Sequence, residues 1–489
     1  MLVDMQVWQL RRKIHSSWLI ATVSAAVVVG VAIVPSINQT IFSSPIWLCV
    51  GVLLGGIVLW RRSVYLVPVM VIAGLAIGLW RGSTLESQLV IYKQLASRHV
   101  QLGGVVTDDP DSGQHGEVLL RLGQVTIDGH NVAGKVWTSV AQPSDIKRGD
   151  MVIVSGNLET GFGSFAAVMY RAKLERAFRP QPGDIARQAR DWFADKVRLG
   201  LSEPQASLGL GYLLGQRRAL PPELAAALVV TGLTHVVVAS GYNLTILVRL
   251  SRRLFMRISK YVAALAATSM IVGFMAVTGA SPSMTRAGLI TGLSLAAWYY
   301  GRKFHPLVLL PFAAAITVLI DPTYAWNDLG WQLSFAAFAG VMILAPLLQR
   351  YFYGNKKPGT IRQILGETIS ASIMTLPILV LAFGQFSNVS LLTNLLILPF
   401  VPLAMLLTFV SGIGAIAAPS IAVAISAPAQ WLLTYMTIVI QYFAELPWAQ
   451  TIVSVQPWMV WLAYAVIIAV CIYLWRATKH DLKESNIVE

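Results

Sequence analysis

The sequence predicts a polytopic α-helical membrane protein of about 12 spans, with a small all-β domain inserted after the third span. Composition is the first reason. Of 489 residues, 56% are hydrophobic and only 12% charged. A soluble globular protein carries about 25% charged residues, so this chain has too little polar surface to face water all round. The second reason is the recurrence, from Trp18 to Trp475, of apolar runs of about 16 to 20 residues, the length a helix needs to cross a hydrocarbon core of roughly 30 Å. The third is a change of pattern over residues 81–178, where long apolar runs give way to short alternating ones.

Charge and periodicity then assign the elements in order. Arg11, Arg12 and Lys13 precede the first span (18–36) and place the N-terminus in the cytoplasm, because Lys and Arg accumulate in cytoplasmic loops. That run is not read as a secretory signal, since two spans follow at once without a small-residue cleavage pattern. The second span (45–60) ends at Arg61 and Arg62, and the third (64–80) delivers the chain outside, so residues 1–80 form an N-terminal three-helix unit. Alternation over His99–Thr107, Glu117–Thr126, Val132–Val140, Met151–Leu158 and Phe165–Leu174, broken by Asp109-Pro110, Asp128-Gly129 and Gly161–Gly163, predicts short strands. With Lys147–Asp150 leading into Met151–Val154, they fit an OB-type barrel over 81–178. In 179–204, Ile185, Trp192, Phe193, Val197 and Leu199 recur near helical spacing among charged residues. This predicts a linker helix, either on the outer membrane surface or solvated.

Residues 205–476 are hydrophobic again. Arg249, Arg252, Arg253, Arg257 and Lys260 form the strongest cytoplasmic mark, and Arg302-Lys303 and 350–362 are also basic. The loops 321–329 and 445–456 hold no Lys or Arg and are assigned outside. Spans then fall near 225–248, 261–279, 286–300, 305–320, 331–348, 365–384, 391–414, 421–441 and 457–475, with 477–489 a cytoplasmic tail. Residues 205–222 fit either a re-entrant turn or an extra hairpin. Cys49 and Cys471 both fall inside spans and define no disulfide framework. The formal net charge of +14 is read first as topology and second as an acidic partner.

No enzyme motif stands out. The histidines are scattered, none pairs at metal-ligand spacing, and no Gly-rich loop ends in Lys-Ser/Thr, so no metal, cofactor or nucleotide hydrolysis is expected. The informative stretch is Thr231–Thr245, which places His235, Ser240, Gly241 and Asn243 inside a span. Polar groups in hydrocarbon need partners or a wet cavity. Helix packing explains Ser240 and Gly241; His235 and Asn243 fit a broken or cavity-lining helix better. Arg286, one turn into the next-but-one span, either snorkels to the interface or meets an anion in a vestibule. Asp321 and Asp328 read as helix caps, with Gln332 beside them.

These stretches resemble the ComEC family of competence proteins. The resemblance runs through Leu208–Arg218, Leu220–Leu224, Thr231–His235, Ser240–Asn243, Thr278–Ala287, Asp321-Pro322, Gly330–Phe335 and Leu381–Gln385, then Ser390, Asn394 and Pro399. Each motif is weak, but the ordered set is specific. It implies an inner- or plasma-membrane channel for single-stranded DNA in natural transformation, with an OB-like domain before the channel domain. On that implication His235, Ser240, Gly241, Asn243, Arg286 and Gln332 line the strand's path, and Arg217 and Arg218 stand at an entrance. The family usually has His where Asn243 stands, and Asn keeps hydrogen bonding but not titration. Many members also carry a C-terminal metallo-β-lactamase-like domain. This sequence holds no His-x-His-x-Asp-His motif, so strand degradation is expected from a separate nuclease.

The partners implied are single-stranded DNA, membrane lipids, a DNA receptor and a cytoplasmic translocase. In the β domain Tyr170, Arg171, Lys173 and Arg176 are the contact candidates. Lys and Arg at 98, 121, 135, 147, 148, 171, 173 and 176 face Asp and Glu at 108, 109, 111, 117, 128, 145, 150, 159 and 175, a near-neutral balance that lacks the basic footprint of a strong phosphate binder. The alternatives are a transporter or a membrane enzyme acting on a lipid-linked anion, with Asp321, Asp328 and Arg286 as its site, and a scaffold for the separate nuclease.

Overall fold

The computed structural model describes residues 15–37, 41–61, 64–113, 117–141, 145–216, 220–237, 241–279, 281–301, 305–354 and 359–478. Ser240, Arg217 and Arg218 of the expected path lie outside the described residues. The chain opens with α1 (Ser16–Ala32), α2 (Ile46–Arg61) and α3 (Val67–Gln94). The α1–α3 crossing is set by glycine. Gly74 and Gly78, one turn apart on α3, face the α1 backbone so closely that an added Cβ would stand 2.5 Å from the Val23 carbonyl oxygen at Gly74 and 2.3 Å from that of Val27 at Gly78. In lipid, where apolar side chains gain nothing by leaving one apolar medium for another, such close backbone approach is a main source of helix association. The 28 residues of α3 rise about 42 Å, more than a bilayer core. Its last turns leave the apolar layer, and Leu89 and Tyr92 join the core of the β domain.

That domain is a closed barrel of β1 (His99–Val106), β2 (Val118–Ile127), β3 (Val136–Val140), β4 (Met151–Asn157) and β5 (Ala167–Phe178). The strand order is 1-2-3-5-4, and β1 pairs with both β2 and β4 to close the ring. All main pairings are antiparallel except β3 with β5. Period-two alternation delivers Leu102, Leu120, Leu122, Val136, Val154 and Met169 to a sealed interior. A bulge in β5 puts Arg171 at φ +49° with its N–H donating to Ser139 Oγ at 2.8 Å, and the extra residue turns both Tyr170 and Arg171 outward.

The linker helix α4 (Ile185–Arg198) forms as expected, capped by Asp184, but it neither lies free in solvent nor offers only an apolar face to a membrane. It packs between the barrel and the bundle. Arg187, Arg190, Ala194 and Val197 are buried, Phe193 stacks on Phe409 and fills the space over Gly412, and Gly200 sits on Ala422 and Ser426. The next helix, α5 (Gln205–Leu214), is buried over 206–213 and ends at Gly215 in the left-handed conformation. Ten residues rise about 15 Å, half a bilayer core, so α5 by itself is too short to span one.

The remaining helices are α6 (Pro222–Val230), α7 (Thr234–Val237), α8 (Gly241–Phe255), α9 (Lys260–Thr278), α10 (Pro282–Tyr299), α11 (Pro306–Ile320), α12 (Thr323–Asn327), α13 (Leu329–Ala339), α14 (Ala345–Tyr353), α15 (Thr360–Phe383), α16 (Ser390–Ile397), α17 (Val401–Ala417), α18 (Ala422–Ala444) and α19 (Pro457–Thr478). The single span expected over 225–248 is instead broken into α6, α7 and the start of α8. Gly232 at φ +72° makes the first break, a conformation glycine adopts without steric cost. Among the described residues seven helices, Val67–Gln94, Lys260–Thr278, Leu329–Tyr353, Arg362–Phe383, Ser390–Ala417, Pro419–Ala444 and Pro457–Thr478, are long and apolar enough to cross a membrane. Ser16–Ala32, Ile46–Arg61 and Leu307–Ile320 are apolar but shorter. The fold is that of a polytopic helical membrane protein with an inserted β-barrel domain.

Candidate functional site

The barrel is seated on one end of the bundle by charged contacts. Lys135, just ahead of β3, donates to Asp321 Oδ2 at 2.8 Å and lies 5.2 Å from the centre of the Tyr324 ring. Burial opposes the Lys135 charge, but the Asp321 carboxylate and Tyr324 outweigh it and hold its pKa above the ordinary lysine value. Arg148, 5% exposed, is the second anchor. Its Nε donates to Asp184 Oδ2 at 2.7 Å, and its Nη groups donate to the Ala276 and Val277 carbonyls at 3.0 and 3.3 Å. Arg190 grips Asp109 with both Nη groups, and Arg121 holds Asp111 at 3.0 Å. The acidic turn 108–111 is therefore matched by arginines rather than presented as a free negative patch.

The broken helix carries most of the polar residues expected on the path. His235 in α7 bonds through Nδ1 to the Gly232 carbonyl at 2.9 Å. Its ring is exposed, between buried Leu233 and Val236. Tyr242 is likewise exposed at the start of α8, its hydroxyl 3.5 Å from the Leu398 carbonyl. Gly241 lets α8 meet α10 and α13, since a Cβ there would stand 3.1 Å from Ala287 Cβ and 3.5 Å from the Phe338 ring. Asn243 is not exposed. It is fully buried, and its amide donates to the Tyr212 carbonyl at 3.0 Å and the Val236 carbonyl at 3.2 Å. It braces the break by satisfying carbonyls that an unbroken helix would have paired internally.

Arg286 does not snorkel. It is 1% exposed, and its Nη2 donates to the Gly330 carbonyl at 2.7 Å, tying α10 to the first turn of α13. Its Nε and Nη1 have no protein partner among the described residues. A buried guanidinium with unmet donors is costly. Asp328 stands near but is engaged as the α13 cap, accepting from Trp331 N. Asp321 is likewise engaged by Lys135 and Thr323. Gln332 is half-exposed in the same turn, and every residue from Trp331 to Ala339 is half-exposed. A helix with no buried side borders accessible space on more than one face.

Sequence reasoning missed Tyr242 and Glu367. Glu367 on α15 is half-buried and close enough to Tyr242 to act on it electrostatically. The signal was present, since Glu367 is the lone acid in its apolar run. It also missed the anchors Lys135 and Arg148, which had no local signal because their partners are remote in sequence.

On the barrel, Tyr170, Arg171, Lys173 and Arg176 share the exposed side of β5. Trp137 packs edge-on against Tyr170 at 5.5 Å and Phe162 at 5.9 Å, and Phe162 against Phe165 at 5.6 Å. Phe162 and Tyr170 are each about half exposed. Arg171 pairs with Glu117 at 3.5 Å and Lys173 with Glu175 at 3.2 Å, so much of the basic character is balanced in place. Among the described residues no cluster of His, Cys, Asp and Glu is arranged to hold a metal ion.

A polytopic helical bundle with a broken polar helix and an inserted β-barrel defines the class of membrane protein. Residues 212–478 match the family described as Competence protein, and the chain belongs to that family, the ComEC family. It is 26% identical over 214 residues to ComE operon protein 3 of Bacillus subtilis (strain 168), covering 43% of this chain and 27% of that one. It is 24% identical over 275 residues to an uncharacterized protein of Aquifex aeolicus (strain VF5), covering 53% of this chain and 64% of that one. The chain thus matches less than two thirds of the length of either relative. No solved structure matches it.

Proposed function

We propose that this protein is a conduit through which single-stranded DNA enters the cell during natural transformation. The observation that carries the reading is the break between α6 and α8. There His235 and Tyr242 are exposed on either side of the break, Gly241 brings α8 against α10 and α13, α13 is half-exposed on all sides, and α10 carries the buried, incompletely bonded Arg286; in this reading these groups border the strand's path. A polyanion needs a wet, polar path with cations that meet phosphate oxygens. With no nucleotide-binding motif in the chain, movement is driven by a separate cytoplasmic translocase or the membrane potential, and this chain acts as a conduit rather than a catalyst.

The strand order 1-2-3-5-4-1 supports an OB-type reading of the barrel. Its aromatic group, Trp137, Phe162, Phe165 and Tyr170, offers faces on which bases stack. In this reading the barrel stands outside as a vestibule and both termini are cytoplasmic. The three shorter apolar helices, α10 and the broken α6–α8 segment cross together with the seven longer ones, giving about 12 crossings. The contacts agree with the alternation, because Lys135, Arg148 and the acidic 321–328 loop meet at one end of the bundle while Trp18 meets His305 at the other.

The test is deletion followed by exposure to labelled DNA. Loss of labelled strands from the cytoplasm, restored by the intact gene, is expected; uptake equal to wild type overturns the conduit. For topology, Ser112→Cys in a background lacking Cys49 and Cys471 should react with an impermeant thiol reagent on intact cells. Reaction only after lysis would invert the orientation.

A further inference from the structure

The conduit leaves one built feature unused, at the end of the bundle away from the barrel. Arg249, Arg252, Arg253, Met256, Arg257 and Trp298 line an open groove of about 730 Å³ between the end of α8 and the end of α10. No Asp or Glu lines it. Arg253 and Arg257 are exposed and form no ion pair among the described residues. Interleaved with these cations on the same stretch are exposed Leu250, Leu254, Met256, Ile258 and Tyr261.

Three occupants carry negative charge at such a place: a nucleic-acid strand, a free phosphate ion and the headgroup of an anionic phospholipid. A strand uses aromatic faces for its bases, but Trp298 is covered by the Arg252 guanidinium at 4.9 Å and the Lys260 ammonium at 5.6 Å from its ring centre. A free phosphate gains nothing from the apolar flank. A lipid uses both halves, with acyl chains against Leu250 and Leu254 and its phosphate among the arginines, and a zwitterionic headgroup would bring its own cation into a groove that holds only cations. We propose that this groove is a binding site for the phosphate headgroup of an anionic phospholipid. Basic pockets of this kind at the cytoplasmic ends of helices have the charge and shape for diphosphate or phosphoglycerol headgroups.

The experiment uses the full-length protein in nanodiscs of equimolar phosphatidylglycerol and phosphatidylcholine, transferred to detergent and weighed with its retained lipids by native mass spectrometry. Wild type should retain phosphatidylglycerol over phosphatidylcholine by about fivefold or more, and Arg253→Gln with Arg257→Gln should bring that preference down to about twofold or less. Retention in the bulk ratio, or the same preference in the double variant, overturns the proposal. Should the variant fail to fold, competition on wild type decides. Displacement of phosphatidylglycerol by a thymidine oligonucleotide, or by inorganic phosphate, at matched phosphate concentration would assign the groove to a strand or to a free ion instead; persistence of the lipid supports the proposal. DNA uptake is not the readout, so failure here leaves the conduit reading standing, and the reverse.

Discussion

Replacing Arg148 by Met keeps most of the side-chain volume and removes a nearly buried charge that joins three elements. The guanidinium spans Asp184 at the start of α4, the last carbonyls of α9, and its own position ahead of β4. Hydrogen bonds to a charged group contribute about 1.5–3 kcal/mol each, and removing one partner of a buried pair costs about 3–5 kcal/mol. Asp184 is 23% exposed and keeps the Arg187 backbone N–H at 2.9 Å, so the lower end applies, about 3 kcal/mol. If the loss falls on the junction, the population with the barrel unseated rises on the order of 100-fold, since about 1.4 kcal/mol is a factor of ten. Limited proteolysis in detergent reads this directly as faster cleavage in the 179–184 linker, with the barrel fragment itself intact. Arg148→Lys, which keeps the charge but not the fork, should fall between. Cleavage of Arg148→Met at the wild-type rate would refute the view that this arginine seats the barrel.

The same junction has a pH signature. Burial raises the Asp184 and Asp150 carboxyls, but hydrogen bonds from Arg148 to the first and Arg179 to the second outweigh it and hold both below the ordinary aspartate value of 3.8. A depressed folded-state pKa gives stability that is whole above the unfolded value and lost as pH falls through the folded one. Barrel seating, followed by the same proteolysis or by fluorescence, should hold at pH 5 and fail only below about 4; loss between pH 5 and 7 would contradict it. Gly78→Leu should force α1 from α3, costing about 1–3 kcal/mol or more by overpacking, while Gly56→Leu, with open space at its Cβ, is tolerated; equal melting temperatures would refute the close crossing. Arg286→Gln at normal protein level should cut strand uptake by about tenfold to 100-fold, the worth of one charge-assisted contact, with Arg286→Lys partly restoring it; full uptake in Arg286→Gln removes this residue from the path.

Much of this architecture is a one-dimensional property of the chain. The apolar runs, the basic loops and the period-two strands each arise from neighbours in sequence, because burial in lipid and pleating act on consecutive residues. The five barrel strands and the cap role of Asp328 were legible for that reason. Where a fate depends on what stands opposite, the sequence is silent. Asn243 and His235 read alike as polar residues in one apolar run. The structure seals the first as a brace on Tyr212 and Val236 and leaves the second exposed. Arg286 reads as a residue that either snorkels or meets an anion, and packing of α10 against α13 buries it against the Gly330 carbonyl. The acids at 108–111 read as a negative turn until α4 brings Arg190 against Asp109. Hydrophobicity along the chain determined that this is a membrane protein with a β domain inserted after its third helix. Tertiary packing alone decided which polar groups are satisfied and which are left exposed or unmet, because the cost of an unmet donor depends on partners that lie scores or hundreds of residues away.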